Sequence, residues 1–251
     1  MAKQLMIYEK VIPVSAQAHG DLCVEAGIPY DFARELRAVP LVAQEILVAA
    51  REYTVVFAPS GVDNDVIPFV VLGVKEKQNL YVNAEGEWSA KYIPAFIRRY
   101  PFVFAGTEDK TKFTLCIDET WAGCNREGRG RKLFENGEKT EFLDQLLKFN
   151  ENYQKNSMLT DLLCKRLQEL ELLDTQQANL QIQGGDPIRL TGFSVVNREK
   201  LHNLPAETLS ELAKSGALEL IYAHLMSMTN LGNVAGMVAE RSSEDAPEPA
   251  A

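Results

Sequence analysis

The chain has 251 residues, 46% of them hydrophobic and 24% charged, which is typical of a globular protein that can bury a substantial core. The formal net charge of −9 argues against nucleic acid or an anionic membrane surface as the main partner. Apolar runs of about 18 residues are missing, so no membrane span is predicted, and the first ten residues lack the apolar core of a signal peptide, so we expect a cytoplasmic protein.

The predicted elements begin after an irregular N-terminal stretch of some thirty residues. A helix is predicted from Pro40 to about Glu52, because proline suits the first helical turn and an apolar stripe follows it. Three strands are predicted next, at residues 53–58, 67–75 and 79–83, where β-branched and aromatic residues lie between turn signals.

A second unit with the same order of elements follows. A short helix begins at Pro94, and two strands are predicted at residues 102–105 and 112–118. The string Arg-x-Tyr-x-x-Val-Phe-Ala occurs at Arg51 and again at Arg98, 47 residues later. This repeat predicts an internal duplication of a helix–strand unit.

The C-terminal half mixes helices with one hairpin. The predicted elements are a basic, glycine-rich loop at 122–132, a helix at 138–174 with a break near Asn156–Ser157, a hairpin of 180–183 with 188–196, and helices at 206–215 and 217–228. Helices and strands do not alternate strictly, so the predicted class is α+β, with mainly antiparallel sheet and packed helices.

The domain organisation is predicted to be simple. We expect a single α+β domain over residues 1–240, with a division into 1–137 and 138–240 left open. Residues 241–251 lack an apolar face and are predicted to form a disordered tail.

Two carboxylates beside a tryptophan are the first candidate site. Asp118 and Glu119 precede Trp121, and this pair ends one predicted element of the second unit, as the pair of Arg98 and Arg99 ends another. The four charged side chains suit either acid–base catalysis or an ion pair that fixes the helix against the hairpin. We favour the ion pair.

Three arginines of the glycine-rich loop are the second candidate. Arg126, Arg129 and Arg131 stand out in an acidic chain and suit an anion or an acidic partner. A solvated hairpin tip is the favoured interpretation, because runs of charge usually face water.

His19 and Asp21 have the spacing of two ligands in a metal site. We disfavour a metal here, because His202 and His224, the only other histidines, lie in or beside predicted helices. The four cysteines lack the spacing of a zinc site and are predicted to be buried thiols. The sequence therefore predicts no metal and no other cofactor.

Several segments resemble the SapC family of bacterial proteins. The most specific is the run from Trp88 to Phe104, followed by Ile117-Asp118-Glu119 and by Leu133-Phe134 with Gly137. Further matching stretches are 39–45 with 53–57, 193–201 and 216–227. The chain departs from the family pattern at Thr54, where a proline is expected, and at Asn197–Arg198, where an acidic pair is more usual.

The resemblance implies no catalytic residues. The family takes its name from a gene linked to a bacterial surface layer. Its members often occur near halogenase-like proteins and outer-membrane receptor genes, which implies an accessory role in a peptide-modifying or nutrient-uptake system. The same name belongs to an unrelated antimicrobial-peptide permease. We do not expect this chain to be that permease, because no membrane span is predicted in it.

The leading hypothesis is a soluble, non-catalytic interaction protein that binds a protein or peptide partner. Its predicted binding residues are Trp88, Tyr92, Arg98, Arg99, Tyr100, Asp118, Glu119 and Trp121. One alternative is an enzyme, either a metal-dependent oxygenase or another peptide-modifying enzyme, and the other is a structural surface-layer component. A homo-oligomer is compatible with each of them.

Overall fold

The computed structural model describes residues 7–61, 65–106 and 113–244, and side chains as far as residue 241. Within these ranges the helices are α1 (Ala16–His19), α2 (Ile46–Ala49), α3 (Ala95–Arg98), α4 (Glu141–Glu169), α5 (Arg198–His202), α6 (Ala206–Lys214), α7 (Ala217–Ser227) and α8 (Leu231–Glu244). Three further segments form 3-10 turns, at Tyr30–Ala33, Ala43–Glu45 and Met228–Asn230.

The strands lie in four antiparallel sheets, which confirms the predicted α+β class. The strands are β1 (Val11–Pro13), β2 (Cys23–Val24), β3 (Ala38–Pro40), β4 (Val55–Pro59), β5 (Val66–Val71), β6 (Phe102–Gly106), β7 (Phe113–Asp118), β8 (Cys124–Asn125), β9 (Arg131–Lys132), β10 (Phe134–Glu135), β11 (Glu138–Lys139), β12 (Leu173–Leu180) and β13 (Ile188–Val196). The largest sheet has the order β12-β13-β4-β5-β3, and the next has the order β1-β7-β6. Two small sheets, β8-β2-β9 and β10-β11, complete the set in the described ranges.

The repeated string marks two units of the same architecture. In each unit a short helix precedes an antiparallel pair, β4 with β5 and β6 with β7. The registers also match, because the Val55–Val70 pair of the first unit corresponds to the Phe102–Ile117 pair 47 residues later. The structure therefore confirms the predicted repeat of a helix–strand unit.

The third strand of each unit comes from a different part of the chain. In the first unit β3 pairs with β5, with Ala38 opposite Val71. In the second unit β1 pairs with β7, with Val11 opposite Asp118. The N-terminal stretch, predicted to be irregular, thus supplies an edge strand to the second unit, and it also contains α1 and β2.

The main core lies between one face of the large sheet and the helices. The first strand of the repeat is buried on both faces, since Val55, Val56 and Phe57 all have at most a few per cent of their surface exposed. Continuous apolar sequence is what such a strand requires. The core side chains that α4, α7 and α8 contribute are Leu163, Cys164, Leu167, Ile221, Ala223, Leu225, Val234 and Val238.

Helix α4 joins two cores. Thr140 caps its first turn by accepting a hydrogen bond from the Leu143 amide at 3.3 Å. Leu143 packs in a smaller core around the second unit, whereas Leu163 packs in the main core. The predicted break near Asn156–Ser157 is wrong, because α4 is continuous and buries residues on both sides of that point. Packing along the whole helix outweighs the weak local preference of these two residues for a cap.

Two predicted elements of the first unit are also wrong in detail. Leu41 donates its amide to the Pro68 carbonyl at 2.9 Å and so stays with the sheet, and the predicted helix is a 3-10 turn followed by α2. The predicted strand at 79–83 forms only one isolated bridge, between Val82 and Trp88. The reason is that the Asn79 side chain accepts the Tyr81 amide at 2.9 Å, which folds the segment into a turn.

The C-terminal half differs from expectation in three places. Helix α4 ends at Glu169, and the first arm of the hairpin is 173–180 rather than 180–183. Helices α5 and α8 were not predicted. Residues 241–244, assigned to the tail, belong to α8, and Arg241 donates to the carbonyls of Asn79 at 2.7 Å and Val82 at 2.6 Å. The remainder of the predicted tail lies outside the described residues, and the domain division remains a prediction.

A buried histidine links α7 to the large sheet. Strands β13 and β4 share a single residue pair, Ser194 with Phe57. Beside it, the His224 ring lies 2.9 Å from the Val55 carbonyl through Nδ1 and accepts the Val196 amide through Nε2 at 3.1 Å. The imidazole thereby replaces backbone hydrogen bonds that the two strands do not make with each other.

Candidate functional site

Five half-buried aromatic rings form a chain of contacts between the two repeat units. We call this set the aromatic row, and its members in order are Trp88, Tyr30, Phe32, Tyr100 and Trp121. Successive ring centroids are 5.7, 6.0, 4.3 and 5.9 Å apart. Trp88 packs against the main core and Trp121 against the smaller one, so the row bridges the two. These separations are those of favourable aromatic pairs.

The first end of the row is fixed by hydrogen bonds through Tyr53, the tyrosine of the first repeat. Trp88 donates its indole N–H to the Tyr53 hydroxyl at 2.8 Å, and that hydroxyl donates to the Tyr92 carbonyl. Burial raises the pKa of Tyr53, so the phenol remains neutral. Tyr30 is held next to Trp88 because its amide donates to the Gly86 carbonyl at 2.7 Å.

A buried carboxylate organises the residues beside this end. Glu45 accepts the Tyr92 hydroxyl at 2.5 Å, the Ala95 amide at 2.7 Å and the Val42 amide at 3.1 Å. Burial, followed by this hydrogen bond to Glu45, raises the pKa of Tyr92. Arg98 lies outside the cluster, donating to the Ile93 carbonyl at 2.8 Å and to the Tyr92 hydroxyl at 3.4 Å.

Asp118 lies at the second end of the row, where its backbone carbonyl accepts the Trp121 amide at 3.4 Å. Its fully buried carboxylate accepts the Glu9 amide at 2.6 Å and the Lys10 amide at 3.3 Å. It also accepts the Thr120 hydroxyl at 2.6 Å and the Thr120 amide at 3.1 Å. A carboxylate with this many donors holds the N-terminal strand in place and is not available to a substrate. Tyr100 packs close by, with its ring 5.2 Å from that of Tyr8.

The predicted arrangement of Arg98 and Arg99 against Asp118 and Glu119 needs correction. The two arginines point to different places: Arg98 is exposed, whereas Arg99 is buried with its guanidinium 4.7 Å from the Phe96 ring centroid. Glu119 lies near His19 and Arg126 instead, at 3.2 and 3.4 Å. Asp118 and Glu119 therefore serve separate contacts and do not form an acid–base pair.

The glycine-rich loop connects two strands that flank β2, and its arginines have acidic neighbours within the chain. Arg126 pairs with Asp21 and donates to the Ala18 carbonyl at 3.1 Å. Arg129 pairs with Glu127 and, at 3.1 Å, with Glu25. The loop is thus partly neutralised while residues 126–132 remain exposed, which weakens the case for an anion site.

The third arginine of the loop, Arg131, has an aromatic neighbour instead of a carboxylate. Its guanidinium lies 3.8 Å from the centroid of the Phe142 ring, on the first turn of α4. This is a cation–π contact that attaches β9 to the helix.

His19 and Asp21 face different partners, which does not fit a metal site. The fully buried His19 ring accepts the Ser15 amide through Nδ1 at 3.1 Å, whereas Asp21 pairs with Arg126. Across the ranges that the structure covers, no group of three histidine, cysteine, aspartate or glutamate side chains could hold a metal ion.

The cysteines are all free thiols. Burial raises the pKa of Cys124 and of Cys164 to about 12, and it also raises the pKa of Cys116. Since only the thiolate is a strong nucleophile, these positions do not resemble activated catalytic cysteines.

Of the eight predicted binding residues, three belong to the aromatic row: Trp88, Tyr100 and Trp121. Tyr92 lies next to it, and the charged members serve internal contacts. Sequence reasoning missed Tyr30 and Phe32, which alternate after Pro29 on a 3-10 turn. The stretch around them has neither helical nor strand periodicity. Two aromatic residues close together in such a loop were the signal that could have indicated a binding surface.

Comparisons with known proteins identify a family but no individual relative. A family model described as SapC matches residues 14–234. No curated protein and no solved structure matches the chain. Over the described residues, no helix is both long and apolar enough to cross a membrane.

Proposed function

The chain belongs to the SapC family, and we propose that it is a non-catalytic binding protein that takes an extended segment of a protein or peptide partner on the aromatic row. In this proposal it works as a soluble, cytoplasmic bacterial protein. It is an accessory to a peptide-modifying or nutrient-uptake system, as the family resemblance implies.

The observation that carries the proposal is the aromatic row itself. Tyrosine and tryptophan bury much apolar area while keeping a polar group in water, which makes them favoured residues at binding surfaces. A line of half-buried rings is also the kind of surface that accepts proline-rich or other extended segments. Trp88 is held by its hydrogen bond to Tyr53 at one end, and Tyr100 packs against the Tyr8 ring near the other. Binding would therefore cost little side-chain entropy.

The surrounding titratable groups favour binding over acid–base chemistry. Glu45 and Asp118 each accept several hydrogen bonds from the protein, so neither is free to take a proton from a ligand. Burial raises the pKa of Tyr8 and Tyr100 as well as that of Tyr53, so these phenols stay protonated at neutral pH.

The two tryptophans of the chain stand at opposite ends of the row, so intrinsic fluorescence reports on its occupancy. Peptides selected from a random display library against the purified protein are expected to change the tryptophan emission. Replacing Phe32, in the middle of the row, by serine should abolish their binding. The matched control is Tyr222→Ser, an aromatic residue on α7 that is 39% exposed and lies outside the row. Selected peptides that bind the Phe32→Ser variant as well as the parent would refute the proposal.

A further inference from the structure

A crevice lies beside the edge strand of the large sheet, apart from the aromatic row. Its volume is about 470 Å³, within the range of cavities that hold ligands. Strands β12 and β13 form one wall, and the end of α7, the following turn and the start of α8 form the other. The apolar side chains of its lining are Ala178, Phe193, Val195, Val196, Leu225, Met228 and Leu231.

Strand β12 is an edge strand whose residues from Thr175 to Asn179 are largely exposed. It ends the large sheet, so its outer backbone groups have no partner strand within the described residues. Residues Thr175 to Asn179 contain no charged side chain and no proline, two features that commonly protect an edge from pairing with another chain. A third such feature is present, because the pairing of β12 with β13 shifts register between Gln176 and Ala178. The opposite edge, β3, has three residues and ends in Pro40, so it is protected.

The crevice contains one cation. Arg198 lines it, and none of the carboxylates described in the structure forms an ion pair with this arginine. The neighbouring Lys200, by contrast, pairs with Asp174 at 2.6 Å. An apolar crevice with a single guanidinium at its wall matches a ligand that has an apolar part and an anionic part.

We propose that an extended segment of a partner protein pairs with β12, inserting a large apolar side chain into the crevice and placing a carboxylate against Arg198. The backbone of β12 would bind the segment, and the crevice and the arginine would select its side chains. A second copy of the chain fits less well, because its own β12 offers only polar or small side chains from Thr175 to Asn179. This surface is independent of the aromatic row.

The probes are end-blocked, fluorescein-labelled octapeptides of threonine that carry one phenylalanine and, two positions away, one glutamate. Matched peptides carry glutamine or lysine in place of the glutamate. Binding is measured by anisotropy, and hydrogen exchange shows which amides the peptide protects. Arg198→Gln removes the charge at the crevice, and Arg51→Gln makes the same change at an exposed arginine on another surface.

The glutamate peptide is expected to bind the full chain and to protect the amides of residues 175–179. Arg198→Gln should weaken it about tenfold or more, since a hydrogen bond between charged groups is lost. Arg198→Gln should leave the affinity for the glutamine peptide unchanged. Arg51→Gln should leave the affinity for the glutamate peptide unchanged. Three results would each overturn the assignment: no binding of any probe at about millimolar concentration, protection of amides elsewhere, or equal loss with Arg51→Gln. Protection of 175–179 that depends on protein concentration without peptide would assign the edge to a second copy instead.

Discussion

The buried ring of His224 should make the stability of the protein depend on pH between about 4 and 6.5. The ring lies among Val55, Val196 and Phe57, with its centroid 4.8 Å from that of Phe57. Burial lowers its pKa from 6.5 to about 4. In the unfolded chain the same side chain is protonated below pH 6.5, whereas in the native protein it stays neutral until about pH 4. The unfolded state therefore binds more protons in this window, and the free energy of unfolding falls as the pH falls.

The size of the effect follows from the difference in pKa. A difference of about 2.5 units corresponds to roughly 3 kcal/mol once the pH is below both values, and to roughly 2–3 kcal/mol at pH 4.5. Urea denaturation of the parent and of His224→Gln at pH 7 and pH 4.5 measures it. A glutamine side chain can still donate to the Val55 carbonyl and accept from the Val196 amide, but it does not titrate.

The comparison between variants isolates this one side chain, because the carboxylates of the protein contribute equally to both. The parent should lose about 2–3 kcal/mol more than His224→Gln on going from pH 7 to pH 4.5. His202→Gln, at the exposed end of α5, is the matched control and should behave as the parent does. An equal loss in the parent and in His224→Gln would show that the ring is not held neutral by its burial.

Three further outcomes are expected. Thr54→Val should raise the free energy of unfolding by about 1 kcal/mol in urea titrations, because the fully buried Thr54 hydroxyl has no hydrogen-bond partner among the residues that the structure describes; a loss of stability would contradict this. The half-buried Cys124, with its pKa raised to about 12, should react with iodoacetamide far more slowly at pH 8 in the native than in the unfolded protein; equal rates would be inconsistent with this raised pKa. Gly130→Ala should lower the melting temperature much more than Gly128→Ala, because a Cβ at Gly130 would lie 2.3 Å from the Val24 carbonyl oxygen, whereas Gly128 has open space; similar shifts would show that the loop moves freely.

The repeat units were the most predictable part of the fold, because several local signals agree there. Val55 to Phe57 are continuous, β-branched or aromatic and followed by a turn, which favours a strand whatever the surroundings. The local sequence signals gave wrong predictions at Asn79, where a strand was expected, and at Asn156, where a helix break was expected. A side-chain hydrogen bond removed an expected strand at the first, and packing along α4 removed an expected break at the second.

The candidate site was harder to predict, because it depends on contacts between distant residues. Arg98 and Arg99 are adjacent and chemically identical, yet only the structure shows that one is exposed and the other buried against aromatic rings. Tyr30 and Phe32 become part of the row only because Tyr100, some seventy residues later, packs on Phe32. Sequence patterns carry no information about such pairings unless the elements that bear them are regular.

The different origins of the third strands imply an order of assembly. In the first unit, Ala38 meets Val71 across a short stretch of chain, so this unit can close on its own. In the second unit Val11 must meet Asp118, across a loop about three times as long, which adds about 1 kcal/mol to the entropy cost of closure. Contacts between near neighbours in sequence form faster than contacts between distant ones. The sheet of the first unit should therefore form early. The sheet of the second unit should be completed later, when the N-terminal strand β1 pairs with β7.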